Sequence, residues 1–226
     1  MRNFRIHLIR HGMTQGNLEG RYIGRTDLPL CPQGEEQLRQ LVEQYEYPAV
    51  QKLYSSPLAR CIQTAAILYP EQKAQPVAQL RECDFGIFEG KKIGEIKNDP
   101  SFLQWIEGKA EAAPPEGESG AHFLQRMTTA LEMVLADMMK NQLTDVAVIG
   151  HSGGILSLMT SYGYPRRRMQ DWVFGFGQGY SIRTSSQLWM RDQSFEIYDI
   201  IPQLPEQDDC VDPSESRDEK DGSEGL

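Results

Sequence analysis

The order of apolar segments along these 226 residues predicts an α/β fold with a mostly parallel central sheet. Short β-rich runs recur along the chain, and each is followed by a loop and by a segment with apolar residues at helical spacing. The run 146–149 is wholly apolar, as is typical of a strand buried on both faces of a parallel sheet. The composition, 39% hydrophobic and 24% charged, belongs to the globular class and supplies enough apolar residues for a sizeable core.

The first strand–helix unit is predicted at the start of the chain. Residues 4–9 alternate weakly between apolar and polar and indicate a buried strand that ends at Arg10. A helix is predicted to begin at Pro32, because apolar residues then recur every three or four positions. Its apolar face consists of Leu38, Leu41, Val42 and Tyr45.

The second unit begins with a predicted strand over 52–54. Ser56 is predicted to cap the next helix, with Pro57 at the first helical position. Arg60 would then lie in the first turn, where the helix dipole disfavours a cation. A bound anion would explain this placement, since it would meet both Arg60 and the positive end of the helix. The apolar stripe of this helix is Leu58, Cys61, Ile62, Ala65 and Leu68.

The second half of the chain continues the alternation. The Gly-, Pro- and Glu-rich stretch 107–119 predicts a loop, and Ser119 is predicted to cap a long helix. The buried strand over 146–149 follows, and later strands are predicted near 179–190 and 195–201. The apolar face of the long helix is Phe123, Leu124, Met127, Leu131, Val134, Leu135 and Met138.

The net charge of −9 is concentrated at the C-terminus. Residues 203–226 contain nine acids and two bases, a charge of −7, which leaves −2 for residues 1–202. We therefore expect one domain over 1–202 and an acidic, disordered tail over 203–226. Because the domain is nearly neutral, the charge disfavours nucleic-acid and anionic-membrane partners.

Cysteine spacing and hydropathy indicate the cellular compartment in which the protein is expected. The four cysteines form no Cys-x-x-Cys pair, which argues against a zinc module or a disulfide framework and favours a reducing cytoplasm. No apolar run approaches the roughly 18 residues of a membrane span, and the first residues do not resemble a secretory signal. The sequence does not indicate an oligomeric state.

Two of the four histidines directly follow predicted strands. His11 follows Arg10, and His151 lies between Gly150 and a Gly-rich helix start. Open α/β sheets bind ligands at the carboxyl ends of their strands, so both histidines are candidates for a site. His7 lies inside a strand and is interpreted as structural, and His122 is interpreted as a solvated residue of a helix.

Two arginines beside two histidines predict a phosphate site. Guanidinium groups bind phosphate oxygens in a bidentate geometry, which suits Arg10 and Arg60. A histidine kept neutral by these cations can attack phosphorus, and a carboxylic acid can protonate the leaving oxygen. Glu82 is best placed in the sequence to be that acid, with Asp84 and Glu89 as alternatives. A zinc site is disfavoured because the arginines would repel a divalent cation.

These residues also resemble a known family. Arg10-His11-Gly12, with Thr14 and Asn17, is similar to the signature of the histidine phosphatase superfamily, also called phosphoglycerate mutase-like. The blocks occur in the family's order over nearly all of 4–202, and the resemblance implies a three-layer α/β/α sandwich. The remaining blocks are 22–30, 55–65, 82–86 with 89–90, 115–119 and 151–154.

The resemblance implies a two-step reaction on a phosphate monoester. His11 would be phosphorylated on one ring nitrogen while the other donates to a backbone carbonyl, and Glu82 would act as acid and then as base. Arg10, Arg60 and His151 would stabilise the transferring phosphoryl group, with no metal or other cofactor. The catalytic set is His11, Glu82, Arg10, Arg60 and His151. The substrate-binding set is Arg10, Asn17, Gly24, Arg60, Glu82, Ser152 and Gly153.

The expected partner is a small phosphorylated metabolite. Only 68 residues separate Glu82 from His151, and they contain no Arg-Arg pair, which favours a phosphatase over a mutase with a longer, basic segment. The motifs most resemble the bacterial α-ribazole phosphatases of cobalamin synthesis. The alternatives are a phosphoglycerate mutase and a regulatory module that binds phosphate without turnover.

Overall fold

The computed structural model describes residues 3–107 and 111–203, so the predicted acidic tail lies almost wholly outside the described residues. Its centre is a seven-stranded sheet with the order β3-β2-β4-β1-β6-β7-β5. The strands are β1 (Asn3–Arg10), β2 (Lys52–Ser55), β3 (Gln75–Pro76), β4 (Asp145–Gly150), β5 (Gly163–Tyr164), β6 (Gly179–Ser185) and β7 (Phe195–Ile201).

The helices lie between these strands, as the alternating pattern predicts. The α-helices are α1 (Gln15–Leu18), α2 (Pro32–Gln44), α3 (Ala59–Leu68), α4 (Ile93–Ile96), α5 (Pro100–Glu107), α6 (Gly120–Lys140), α7 (Ser152–Tyr162) and α8 (Ser186–Asp192). Short 3₁₀ turns lie at Ala78–Leu80, Gly86–Phe88 and Met169–Asp171. Among the described residues, no helix is both long and apolar enough to span a membrane.

Two apolar clusters, one on each face of the sheet, make the three layers. On one face, Ile6 and Val148 pack with α6 residues such as Leu131. On the other face, Ile9 and Ile149 pack with the buried residues of α2 and α3. Successive side chains of a strand point to opposite faces, so β1 and β4 contribute to both clusters. The predicted α/β/α sandwich is confirmed.

The sheet is mixed. The pairs β1–β4, β2–β4, β2–β3 and β5–β7 are parallel, whereas β6 runs antiparallel to β1 and β7. The neighbours β2, β4 and β1 therefore end at the same edge of the sheet. The strand predicted near 179–190 ends at Ser185, because Ser185 caps α8 by accepting a hydrogen bond from the backbone N–H of Leu188.

The start of α3 differs from the prediction. The N-cap is Leu58 and not Ser56, whose backbone N–H continues the pairing of β2 with β4 by donating to the Ile149 carbonyl. The side chain of Asp27 instead accepts a hydrogen bond of 2.7 Å from the N–H of Ala59. The capping oxygen thus comes from a distant loop, and Ser56 is left for another contact.

Ser119 caps α6 as predicted, accepting a hydrogen bond from the His122 N–H at 3.2 Å. We expect Ser119→Ala to lower the free energy of unfolding by about 1 kcal/mol, because it leaves a helix N–H without its acceptor. Thr129→Ala, inside the same helix, is the control and should not lower it, since alanine favours helix. Urea denaturation measures both, and equal losses would contradict the capping role.

Candidate active site

The pairing of β1 with β4 brings His11 and His151 together. Arg10 and Gly150 are register partners at the ends of the two strands, and the His11 N–H donates to the Gly150 carbonyl at 2.9 Å. The two imidazole rings lie edge to face with their centroids 5.1 Å apart. Both histidines are buried at the carboxyl edge of the sheet, where the sequence predicts a site.

The surroundings of His11 define which ring nitrogen is free. Its Nδ1 lies 2.6 Å from the Gly12 carbonyl, which can only accept, so Nδ1 carries the proton and Nε2 keeps its lone pair. Burial, with Arg60 and Arg10 nearby, lowers the pKa of His11 to about 3. The ring is therefore neutral near pH 7, as nucleophilic attack requires.

Arg60 is almost completely buried at the start of α3. Its two terminal nitrogens donate to the carbonyls of Gly24 and Thr26, at 2.7 and 2.8 Å. Its Nε is buried and has no partner among the described residues. A buried donor of this kind is costly unless something accepts its hydrogen bond, so the site is suited to an anion.

Arg10 is the second cation and also has a buried Nε without a partner. Its guanidinium carbon lies 3.9 Å from the ring centroid of Phe176, a cation–π contact that restrains it. Sequence reasoning missed Phe176. It lies next to Gly177, whose N–H donates to the Arg10 carbonyl, and this pairing is visible only in the folded sheet.

Glu82 is buried opposite these cations. Its carboxyl oxygens accept hydrogen bonds from the backbone N–H groups of Cys83 and Gly153, at 3.0 and 3.2 Å. Burial raises the pKa of Glu82 in spite of these bonds and of the two arginines. A carboxyl group with a raised pKa retains a proton that it can donate.

His151 is held by residues near the end of β2. Its Nε2 lies 2.9 Å from the Ser56 hydroxyl and 3.5 Å from the sulfur of Cys61. Burial, followed by His11 and Arg60, lowers the pKa of His151 well below its usual value. Ser56 therefore serves the site and not the helix cap predicted for it.

Three predicted substrate-binding groups are wholly or partly occupied by protein partners. The Gly24 N–H donates to Glu89 and its carbonyl accepts from Arg60, so Gly24 positions Arg60 and offers no free polar group. The Gly153 N–H is held by Glu82, which leaves Ser152 at the open end of α7. The Asn17 side-chain oxygen accepts from Thr14 and closes a capping box.

Glu89 organises the loop that holds Arg60. Its carboxylate accepts from the N–H groups of Gly24 and Arg25 and from the hydroxyl of Thr26, at 2.7 to 3.2 Å. A side chain at position 24 would approach the Cys83 carbonyl to 2.0 Å, so only glycine fits there. All of these groups are donors to Glu89, whose role is therefore to accept hydrogen bonds rather than to transfer a proton.

The other two histidines contact residues outside this set. His7 is buried in β1 with Nδ1 2.9 Å from the Ser181 hydroxyl, and burial lowers its pKa to about 4. His122 is exposed, with Nδ1 2.9 Å from a carboxylate oxygen of Glu118. Within 3–107 and 111–203, no cluster of three or more His, Cys, Asp or Glu side chains is arranged to hold a metal ion.

A neutral histidine, one buried and one half-buried guanidinium group, and a buried carboxyl group with a raised pKa define a site for phosphoryl chemistry. The family model of the histidine phosphatase superfamily (branch 1) matches residues 6–187. The chain belongs to this superfamily, and the predicted resemblance is confirmed.

Individual relatives include phosphatases and mutases. "Putative phosphoserine phosphatase 2" of Hydrogenobacter thermophilus is 31% identical over 166 residues, which are 70% of this chain and 80% of that protein. "Probable phosphoglycerate mutase GpmB" of Proteus mirabilis is 31% identical over 135 residues, 58% of this chain and 63% of that protein. The alignment thus spans less than two thirds of the mutase.

The solved α-ribazole phosphatase of Shigella flexneri has the same fold. It superposes with a TM-score of 0.69 at 23% sequence identity, over 86% of this chain and 95% of that chain. The fold likeness agrees with the sheet and helix layers described above.

Glu89→Gln tests the support of Arg60. The amide group cannot accept on both sides, so we expect the Gly24–Thr26 carbonyls to shift and binding of inorganic phosphate to weaken about tenfold or more. The control is Glu95→Gln, which alters a carboxylate that accepts from the Lys92 N–H at the distant helix α4. Calorimetry measures the affinities, and unchanged phosphate binding in Glu89→Gln would contradict the positioning role.

Proposed function

We propose that this chain is a metal-independent phosphomonoesterase that acts on a small phosphorylated metabolite through a phosphohistidine at His11. One observation carries the proposal. The unprotonated Nε2 of His11 belongs to a buried ring whose other nitrogen is held by Gly12, and two nearby guanidinium groups each have a buried N–H without a partner among the described residues. The superfamily membership supports the same chemistry.

In the first step, the lone pair of His11 Nε2 attacks phosphorus and the bond from phosphorus to the leaving oxygen breaks. Glu82 gives its proton to that oxygen, so the alcohol leaves neutral. Arg10 and Arg60 stabilise the charge on the equatorial oxygens. Because the fold already holds these cations in place, little reorganisation is needed during the reaction. His151 is a neutral hydrogen-bonding group in the same site.

In the second step, water attacks the phosphorus of phospho-His11. Glu82, now a carboxylate, takes a proton from that water, and the bond from Nε2 to phosphorus breaks. Inorganic phosphate leaves, and both His11 and Glu82 return to their starting protonation states.

The substrate is one of several small esters. The names of two relatives suggest O-phosphoserine and a phosphoglycerate as substrates. The name of the solved fold neighbour, together with the sequence motifs, suggests α-ribazole 5′-phosphate of cobalamin synthesis as the substrate. Phosphoglycerate mutase activity is the second candidate function, and the sequence identity to the mutase relative favours it. A regulatory phosphate-binding module is disfavoured by the intact catalytic set.

The first experiment is phosphate release by the purified protein in EDTA, with p-nitrophenyl phosphate and the esters named above. Turnover supports the metal-independent phosphatase. Interconversion of phosphoglycerates after addition of bisphosphoglycerate, without phosphate release, would favour the mutase. Phosphate binding without either reaction would favour the regulatory module.

His11→Ala should reduce turnover at least about a thousandfold, because the variant has no atom to accept the phosphoryl group. Labelling of the protein by a ³²P-labelled phosphate ester measures the first step, and phosphate release measures the complete reaction. Thr129→Ala, on the surface of α6, serves as the control and keeps both signals. Substantial turnover or labelling in His11→Ala would exclude His11 as the nucleophile.

Glu82→Gln removes the proton donor at nearly constant size. We expect a loss of about a hundredfold or more toward an alkyl phosphate and a much smaller loss toward p-nitrophenyl phosphate, whose leaving group needs no proton. Equal losses for both esters would move the acid role to another carboxylate.

The pH profile follows from the same groups. Burial raises the pKa of Glu82, so the protonated acid persists to a higher pH than in an exposed glutamate, and kcat/KM for an alkyl phosphate should fall as the pH rises through that pKa. On the acid side, protonation of His11 reduces the rate only as the pH approaches about 3. Glu82→Gln should lose the alkaline limb, and a profile that keeps rising with pH would contradict this assignment.

A further inference from the structure

A buried hydroxyl group lies behind the proposed nucleophile. Thr64 is on α3, one turn after Arg60, and its side chain is completely buried. Its Oγ1 donates a hydrogen bond to the Arg60 carbonyl at 2.7 Å, so the hydroxyl proton is already used within the helix. The lone pairs of Oγ1 therefore remain to accept a hydrogen bond from elsewhere in the fold.

The donor to these lone pairs is the backbone N–H of Gly12. It lies 2.8 Å from Thr64 Oγ1, although the two residues are 52 positions apart in the chain. Gly12 is buried, and a buried N–H is costly when it has no acceptor. The hydroxyl of Thr64 thus joins the residue after the nucleophile to the helix that carries Arg60.

Gly12 in turn determines the tautomer of His11. Its carbonyl lies 2.6 Å from Nδ1 of His11 and holds the proton on that nitrogen, which leaves the lone pair on Nε2. Glycine has more backbone freedom than other residues, so this carbonyl keeps its direction only where the surrounding chain is fixed. Leu38 leaves little room for a side chain there, because a Cβ at position 12 would lie 2.6 Å from its Cδ1.

Hydrogen bonds fix the chain on both sides of the Gly12 carbonyl. On one side, the bond to Thr64 fixes the peptide that joins His11 to Gly12. On the other side, the Met13 carbonyl accepts from the N–H of Cys31 at 3.0 Å. Without the Thr64 hydroxyl, the first of these restraints is lost, and the neutral ring of His11 can carry its proton on either nitrogen.

We propose that Thr64 is a positioning residue that keeps His11 in its nucleophilic tautomer by holding Gly12. It acts through the Gly12 backbone and not on the reacting atoms. The inference rests on the proposed reaction at His11, and it adds to that reaction a residue that faces away from the phosphoryl group.

Nitrogen NMR of the histidine side chains tests this inference directly. The ¹⁵N shifts of Nδ1 and Nε2 report which nitrogen carries the proton, and the His11 signals are assigned by their absence from His11→Ala. We expect the Nδ1–H form in the unaltered protein and in Thr64→Ser, which keeps the hydroxyl. In Thr64→Val, which has nearly the same shape but no acceptor, the Nε2–H form should appear. An unchanged tautomer in Thr64→Val would overturn the inference.

Kinetics give a second readout. Thr64→Val should lower kcat for p-nitrophenyl phosphate about tenfold or more, because a smaller fraction of the protein has the reactive tautomer. The Kd of inorganic phosphate should change less than about threefold, since Arg10 and Arg60 keep their own contacts. Thr64→Ser should restore kcat to within about threefold of the unaltered protein, because its hydroxyl can accept the same hydrogen bond. Equal losses of kcat and of phosphate affinity in Thr64→Val, or no recovery in Thr64→Ser, would indicate general damage and overturn the inference.

Thr128→Val is the matched control. Thr128 is a buried threonine of α6 whose hydroxyl also donates to the carbonyl four positions earlier, that of Leu124, at 2.8 Å. Its other partner is the Tyr162 hydroxyl and not a residue of the site, so Thr128→Val should keep both the His11 tautomer and kcat. If Thr64→Val does not fold, Thr64→Ala removes the same hydroxyl without adding bulk, and the same readouts apply.

The two proposals fail in different ways. Absence of p-nitrophenyl phosphate hydrolysis by the unaltered protein would reject the phosphatase reaction, while the NMR measurement would still decide whether Thr64 sets the tautomer of His11. Hydrolysis by the unaltered protein with the same kcat in Thr64→Val would reject only the role of Thr64.

Discussion

The site depends on the parallel pairing of β1 with β4. Their register places Arg10 beside Gly150, and the residues that follow, His11 and His151, must then meet at the edge of the sheet. A shift by one residue would turn every side chain of the strand to the other face. The apolar residues on both faces of β1 and β4 prevent such a shift, so the packing of the core also determines the geometry of the chemistry.

Burial then determines the protonation states. The same loss of water lowers the pKa of His11 and raises that of Glu82, so burial favours the neutral form of both the base and the acid. The arginines stay charged, and backbone carbonyls that accept their hydrogen bonds offset part of the free energy lost when the guanidinium groups leave water. Arg60 illustrates this, since Gly24 and Thr26 hold two of its nitrogens while its Nε has no partner. The site is therefore organised for an anion before one binds.

The region between Glu82 and His151 has a small apolar core of its own. The short helices α4 and α5 contribute Ile96 and Phe102, which pack with Phe88. The relatives of this chain include proteins named for different phosphate esters.

The sequence by itself determined the alternation of strands and helices, the ends of the strands that precede His11 and His151, and the histidine–arginine motifs, because hydrophobic periodicity and strand-following polar residues are local signals. It also predicted Ser119 as a cap, since that hydrogen bond closes within four residues. Only the tertiary structure decided that Asp27 caps α3, that Glu89 holds the loop under Arg60, and that Phe176 covers Arg10. These contacts join residues more than 30 positions apart, and no periodic pattern in the chain encodes which distant partner will accept a given hydrogen bond.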